Sequence, residues 1–191
     1  MINTFSDYFE KYGALSGETK IAVESISTHI SLPGNEKILT AGSTMRSIYL
    51  VLNGSARFYY YHEGKEITNQ FFFEGEVIAD MESIYSKKRS NYYIQLLENC
   101  QLIEIKYPEL EKLYRQHHDL EHVGRMIAIA CYLEENERNR SYQMLTAKER
   151  YLKLLETHPD AVNRVNLGHI SSYIGITQVQ LSRIRSELAS F

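Results

Sequence analysis

Cysteine is scarce in this 191-residue chain: Cys100 and Cys131 are the only two, and no CxxC occurs. That excludes a disulfide-dense scaffold, an all-cysteine zinc site and a four-cysteine iron–sulfur cluster. Long apolar runs are also missing. The longest, Met126 to Leu133, falls far short of the ~20 residues that cross a bilayer. The opening MINTFSDYFEKYG has neither the basic nor the apolar region of a signal peptide. No GxGxxG, Walker A loop, GxSxG or HExxH is present, so no catalytic constellation points to an enzyme. His118 and His122 stand four apart beside His117, but no third ligand is implied and no metal site is expected. What is present, 43% hydrophobic and 24% charged residues, belongs to a globular chain of one domain, or of two small ones sharing a helix. A cytoplasmic location is the default expectation.

The net charge of −3 hides an asymmetry. Residues 138–191 hold eight Lys/Arg against four acids, so the remainder is strongly acidic. A basic tail on an acidic body suits phosphate contact at one end.

Periodicity divides the chain into three zones. Residues 3–30 read as short helices, with Phe5, Phe9 and Tyr12, then Ile21, Val23 and Ile26, at helical spacing. From Glu36 to Lys106 the period is two. Ser47 to Tyr61 reads as two strands around Asn53-Gly54, a hairpin signal, and a second turn falls at His62–Lys65. Short strands at regular spacing indicate an antiparallel barrel or roll. Pro108 then opens a helix, and a longer one, with Asp119 at its N-cap, runs to about Tyr142. That helix carries two apolar stripes. Val123, Ile127 and Ala130, with Leu133 on the adjacent stripe, are the candidate contact with a second copy of the chain.

The end of the chain is the most informative. Thr146 and Glu149 form a capping-box pattern; Asn166 caps one short helix, Gly175 ends it, and Thr177 caps the last. Two amphipathic helices around a Gly-containing turn make a helix-turn-helix. The stripe Leu181, Ile184 and Leu188 leaves Gln178, Gln180, Ser182, Arg183 and Arg185 outside. Gln and Arg can bridge the edges of adenine and guanine, so Gln178, Gln180 and Arg183 are expected at bases. Thr177, Arg185 and Lys148 are expected at phosphates. The alternative is a helical hairpin with a solvated polar face.

The order of these parts resembles the cyclic-AMP receptor protein/Fnr (Crp/Fnr) superfamily of transcription regulators, in the short form of Bacteroidetes-type bacteria. The resemblance is carried by SIYLVLNGSARFYYYHEGKE, FFFEGEVIADMESIYSKKRSNYYI and GITQVQLSRIRSEL. It implies an α+β chain: residues 1–118 an antiparallel β-roll (a cyclic-nucleotide-binding-like jelly roll) with N-terminal helices, 119–144 a long dimerisation helix, and 145–191 a helix-turn-helix domain. It also implies a homodimer on a palindromic DNA site, with RNA polymerase as a further partner and no membrane association. The family follows its recognition helix with a β wing, whereas this sequence ends at Phe191, so dimerisation is expected to supply more of the affinity.

The resemblance places a ligand pocket at Glu76, Ala79, Asp80, Arg89, Ser90 and Asn91. Arg89 and Ser90 match the family's phosphate-binding pair. Asp80 stands where a ribose-binding Glu is expected, Ala79 replaces a Gly, and Asn91 a small Ala. Glu135 and Asn136 lie roughly where cyclic-AMP binders place hydroxyls, and a Glu there opposes a phosphate. These departures argue against cyclic AMP; they leave another small anion as effector, or none, and no cofactor. The competing reading is a ligand- or protein-binding roll whose helical tail only oligomerises.

Overall fold

The structure, a computed structural model, describes residues 2–189. Helices α1 (Phe5–Glu10) and α2 (Gly17–Ser25) open the chain; Thr4 and Asp7 form a capping box on the first, and Ser16 caps the second. Next come strands β1 (Ser27–Leu32), β2 (Lys37–Leu39), β3 (Ser47–Asn53), β4 (Ala56–His62), β5 (Lys65–Phe72) and β6 (Val77–Ile78). Helix α3 (Met81–Ser86) precedes β7 (Tyr93–Leu96) and β8 (Cys100–Lys106). The rest is helical: α4 (Tyr107–Gln116), α5 (His118–Met144), α6 (Ala147–Thr157), α7 (Ala161–Arg164), α8 (Leu167–Ile174) and α9 (Gln178–Ala189). Among the described residues no helix is long and apolar enough to cross a membrane.

The strands form two antiparallel four-stranded sheets, β1-β8-β3-β6 and β2-β7-β4-β5, which face each other as a roll. This arrangement corrects two expectations. Ser27–Leu32 is a strand paired along β8, not the end of a helix. Its only apolar alternation, Ile30 and Leu32, is too short to be told from helical spacing. Asn53-Gly54, in turn, does not close a hairpin. β3 pairs with β6 and β8, whereas β4 pairs with β5 and β7, so the turn carries the chain from one sheet to the other. Glycine is needed at 54 because φ is +107° and a Cβ would lie 2.5 Å from the Cys100 sulfur. The tight hairpin is Glu63-Gly64, both at positive φ, with His62 opposite Lys65.

Three apolar clusters follow from strands that are apolar on both faces. Val51, Ala56, Phe72, Ile78, Ile94, Leu96 and Leu102 fill the roll between the sheets. On the outer side of the first sheet, Ile48, Leu50, Ile103 and Ile105 meet Phe5, Phe9 and Val23 from α1 and α2, Leu110 from α4, and Leu120 and Val123 from α5. A third cluster joins Phe71 and Phe73 of the roll to Tyr151, Leu154, Ile170, Ile174 and Leu181 of the C-terminal helices. The helical tail is therefore packed directly on the roll.

Helix α5 begins two residues earlier than expected, with His117 as its N-cap, and runs for 27 residues, about 40 Å at 1.5 Å per residue. Asp119 is not the cap. Its carboxylate instead accepts hydrogen bonds from the Ser16 N–H and the Thr19 hydroxyl, which ties α5 to the start of α2. The expectation of no wing at the chain end lies outside the described residues.

Candidate functional site

Local chemistry builds the pair α8 and α9, and the turn between them, from both ends. The Asn166 side-chain oxygen Oδ1 accepts from the Gly168 N–H at 2.7 Å and caps α8. At the other end Gly175, at φ +75°, turns the chain left-handed, and the Ile176 N–H donates to the Ser171 carbonyl. Replacing Gly175 by Val should destabilise the chain by about 1–2 kcal/mol, the cost of a left-handed side-chain-bearing residue. A lowered midpoint in urea unfolding would register it; an unchanged midpoint would remove the strict need for glycine.

Helix α9 begins with a reciprocal cap. The Gln180 N–H donates to the Thr177 hydroxyl, and the Thr177 N–H donates to the Gln180 side-chain oxygen at 2.9 Å. Gln180 is thus committed to the cap, which leaves only its amide NH2 for a base edge. The Gln178 side chain lies back over Gly168, where a Cβ would come within 2.6 Å of it. Thr177, Gln178, Gln180, Ser182, Arg183 and Arg185 are all exposed, while Leu181 is fully buried. Val179, 63% exposed beside Gln178, was not singled out by sequence reasoning; an apolar residue off the stripe in the first turn is its only signal.

The structure redistributes the basic tail. Arg138 binds Glu135 and the Asn69 carbonyl; Arg140 and Lys153 pair with Glu137. Lys148 faces Glu187 at 3.7 Å, and Arg150 donates to the carbonyls of Ile174 and Leu145, closing the C-terminus of α8. Arg164 joins Glu74 and Glu98, and its hydrogen bonds hold the Glu74 carboxyl down to about 2. Of the eight cations, only Arg183 and Arg185 have no hydrogen bond or ion pair among the described residues. The charge excess was legible in sequence; its internal pairing was not, because most partners lie on distant elements.

The docking of α8 on the roll centres on Arg57, whose side chain is 4% exposed. It donates to Glu66 at 2.6 Å and to Gln95, lies over the Tyr59 ring, and meets the His169 Nδ1 at 2.8 Å. The Ser172 hydroxyl donates to the Glu66 carbonyl and accepts from the Thr68 N–H. Burial, and then the neighbouring Arg57 charge, lower the His169 pKa, so the ring is neutral at pH 7. No periodicity rule marks this interface; an Arg at an otherwise apolar strand position was the available signal.

Two of the six ligand-pocket candidates are engaged in the roll's own hydrogen bonds. Asp80 is buried, and its carboxylate caps α3 by accepting from the Ser83 N–H at 3.1 Å. Ser90 is buried too: its backbone bonds Gly42 and Ser43, and its hydroxyl accepts from the Tyr92 N–H. Arg89 and Asn91 are exposed, Ala79 packs on the outer core, and Arg89 has no partner among the described residues. Glu76 lies elsewhere, in a cavity beside α5 and α6. It accepts from the Phe73 N–H, and burial pushes its carboxyl up to about 7. A raised acid weakens the fold as it ionises. Glu76 therefore costs nothing below its unfolded value near 4.5 and its full penalty above about 7. Glu76→Gln, which keeps the acceptor oxygen, should match the native melting temperature at pH 4.5 and exceed it at pH 8. A difference independent of pH would contradict the burial argument.

The long helix is divided along its length. Val123 is fully buried in the chain's own core, Ile127 packs on that core, and Ala130 is half-buried. This corrects the expected partner face, because a stripe reveals that it is buried but not against what. Of that set only Leu133 is exposed, and Ile129 and Tyr132 beside it on α5 are exposed as well.

Residues 29–117 match the family model described as the cyclic nucleotide-binding domain. Among solved structures, FixK2 from Bradyrhizobium japonicum is 20% identical, with a TM-score of 0.70 over 86% of this chain and 85% of that one. The c-di-GMP responsive global regulator CLP of Xanthomonas campestris is 16% identical, with a TM-score of 0.66 over 92% of each chain. A regulator of the crp/fnr family from Eubacterium rectale is 15% identical, with a TM-score of 0.70 over 96% of this chain and 88% of that one. No curated protein matches in sequence.

Proposed function

We propose that the chain is a homodimeric DNA-binding transcription regulator, since residues 29–117 match the cyclic nucleotide-binding domain model and the fold is that of solved Crp/Fnr-type structures. The observation that carries this reading is α9: a capped helix whose two arginines lie on its exposed side with no hydrogen bond or ion pair among the described residues. Each subunit presents α9 to one half of a palindromic site, with Arg183 and Gln178 at base edges. Arg185, Thr177 and the first N–H groups of α9 face phosphates. Ile129, Tyr132 and Leu133 on α5 join the two copies. RNA polymerase is a further partner, and the cytoplasm is where such a protein acts.

The roll acts as the regulatory domain through its contact with α8. Cyclic AMP is a poor candidate effector, since the Asp80 carboxylate already caps α3. A small anion at Arg89 remains the effector of the family pattern. Salt tests the reading: DNA affinity should fall steeply as potassium chloride rises from 50 to 200 mM, each phosphate contact contributing a slope of about −0.9 in a log–log plot. Affinity that is absent, or flat in salt, would favour a roll whose tail only oligomerises.

A further inference from the structure

A cavity of about 700 Å³ opens where the roll, the second half of α5, α6 and α8 meet. That volume is in the range of small-molecule sites, ~300–1,000 Å³. Of the residues that the family pattern assigns to a pocket in the roll, Glu76 lines it and Asp80, Arg89 and Ser90 do not, so it lacks that pocket's phosphate-binding pair. Part of its wall is aromatic and apolar, with Phe71, Tyr142, Leu154 and Tyr173, the Phe71 and Tyr173 ring centroids 5.1 Å apart.

The polar groups that line it are unevenly satisfied. Its cations are all committed: Arg138 to Glu135, Lys153 to Glu137 and Ser141, and Arg150 to backbone carbonyls. Two carboxylates are not. Beyond its bond from Phe73, Glu76 has the His158 Nε2 at 3.7 Å, an imidazole whose pKa burial lowers, so that it is neutral at pH 7, and the Lys11 charge acts on it without a direct ion pair. Glu134 has no hydrogen bond or ion pair among the described residues. Carboxylates without a direct lysine or arginine partner, set beside aromatic rings, suit an organic ammonium: ion pairs for its charge and π faces for its flank.

We infer that this cavity binds a small amphipathic amine, its ammonium group held by Glu76 and Glu134 and its apolar body against Phe71, Tyr142 and Tyr173. The position gives such a ligand leverage. Tyr142 donates to the Tyr173 carbonyl and Arg150 to that of Ile174, so the cavity wall is also the hinge between α5 and the helix-turn-helix. A ligand there fixes how α8 and α9 sit relative to the roll. This consequence rests on the regulator reading; the binding itself does not, and it is measured without DNA.

The experiment is isothermal titration of the full chain with phenethylamine, using phenylacetate, of equal size and opposite charge, as the comparison. Phenethylamine should bind saturably and phenylacetate should not. Glu76→Gln and Glu134→Gln both leave the fold's hydrogen bonds in place, and each should weaken phenethylamine roughly tenfold. Equal or better binding of phenylacetate, undiminished binding to either variant, or no binding of phenethylamine would each overturn the proposal. Failure here with DNA binding intact would leave the regulator reading standing. Amine binding without DNA binding would do the reverse.

Discussion

Arg183→Ala is expected to weaken binding to a specific duplex by about 30-fold or more while leaving the melting temperature unchanged. Arg183 is exposed and has no internal partner, so its removal disturbs no packing. A bidentate arginine–guanine contact is worth about 1–3 kcal/mol, and a dimer makes it twice, so even the low end exceeds tenfold. Fluorescence anisotropy with the cognate duplex and a scrambled one separates the two roles of such a cation. Loss confined to the cognate duplex marks base reading, whereas equal loss on both would move Arg183 to the phosphates. Gln180→Ala should behave differently. Its side chain closes the Thr177 cap, so part of its effect should appear as lost stability, about 0.5–2 kcal/mol.

The second large effect is at α5. Exchanging both Ile129 and Tyr132 for Glu should leave the monomer folded, since both side chains are exposed on the isolated chain, 44% and 66%. It should abolish the dimer by placing facing charges in the seam. Without a partner the second half-site loses its effective concentration, and affinity for the palindrome should fall by about 10²–10⁴. Sedimentation velocity gives the oligomeric state and anisotropy the affinity. A folded monomer with full affinity would mean that each copy binds alone, and a surviving dimer would move the seam elsewhere.

Particular residues show how far sequence reasoning reached. The capping signals at Thr146, Asn166 and Gly175 placed the C-terminal helices within a residue, because caps are local chemistry. The two faces of β3 were legible too: Ile48 and Leu50 face the outer core, and Val51 faces the interior. Long-range partners were not legible. Asn53-Gly54 announces a left-handed turn but not which strands will pair beyond it, and here the answer is different sheets. Val123 was assigned to a partner because the stripe alone does not say that α1, α2 and α4 already cover it. Asp80, placed in a ligand pocket by resemblance, also caps a helix, since capping and ligand binding call on the same short carboxylate. The Arg57 interface escaped altogether. It joins residue 57 to residue 169, and only the folded chain brings them together.

The central claim is that a dimer lays two copies of α9 along one face of DNA. Selection of duplexes from a random pool by the full chain, followed by sequencing, tests it most directly. The account predicts a two-fold symmetric motif with half-sites about one helical turn apart, 34–36 Å, and its loss with Arg183→Ala. Enrichment of nothing, or of an asymmetric motif that survives Arg183→Ala, would contradict it.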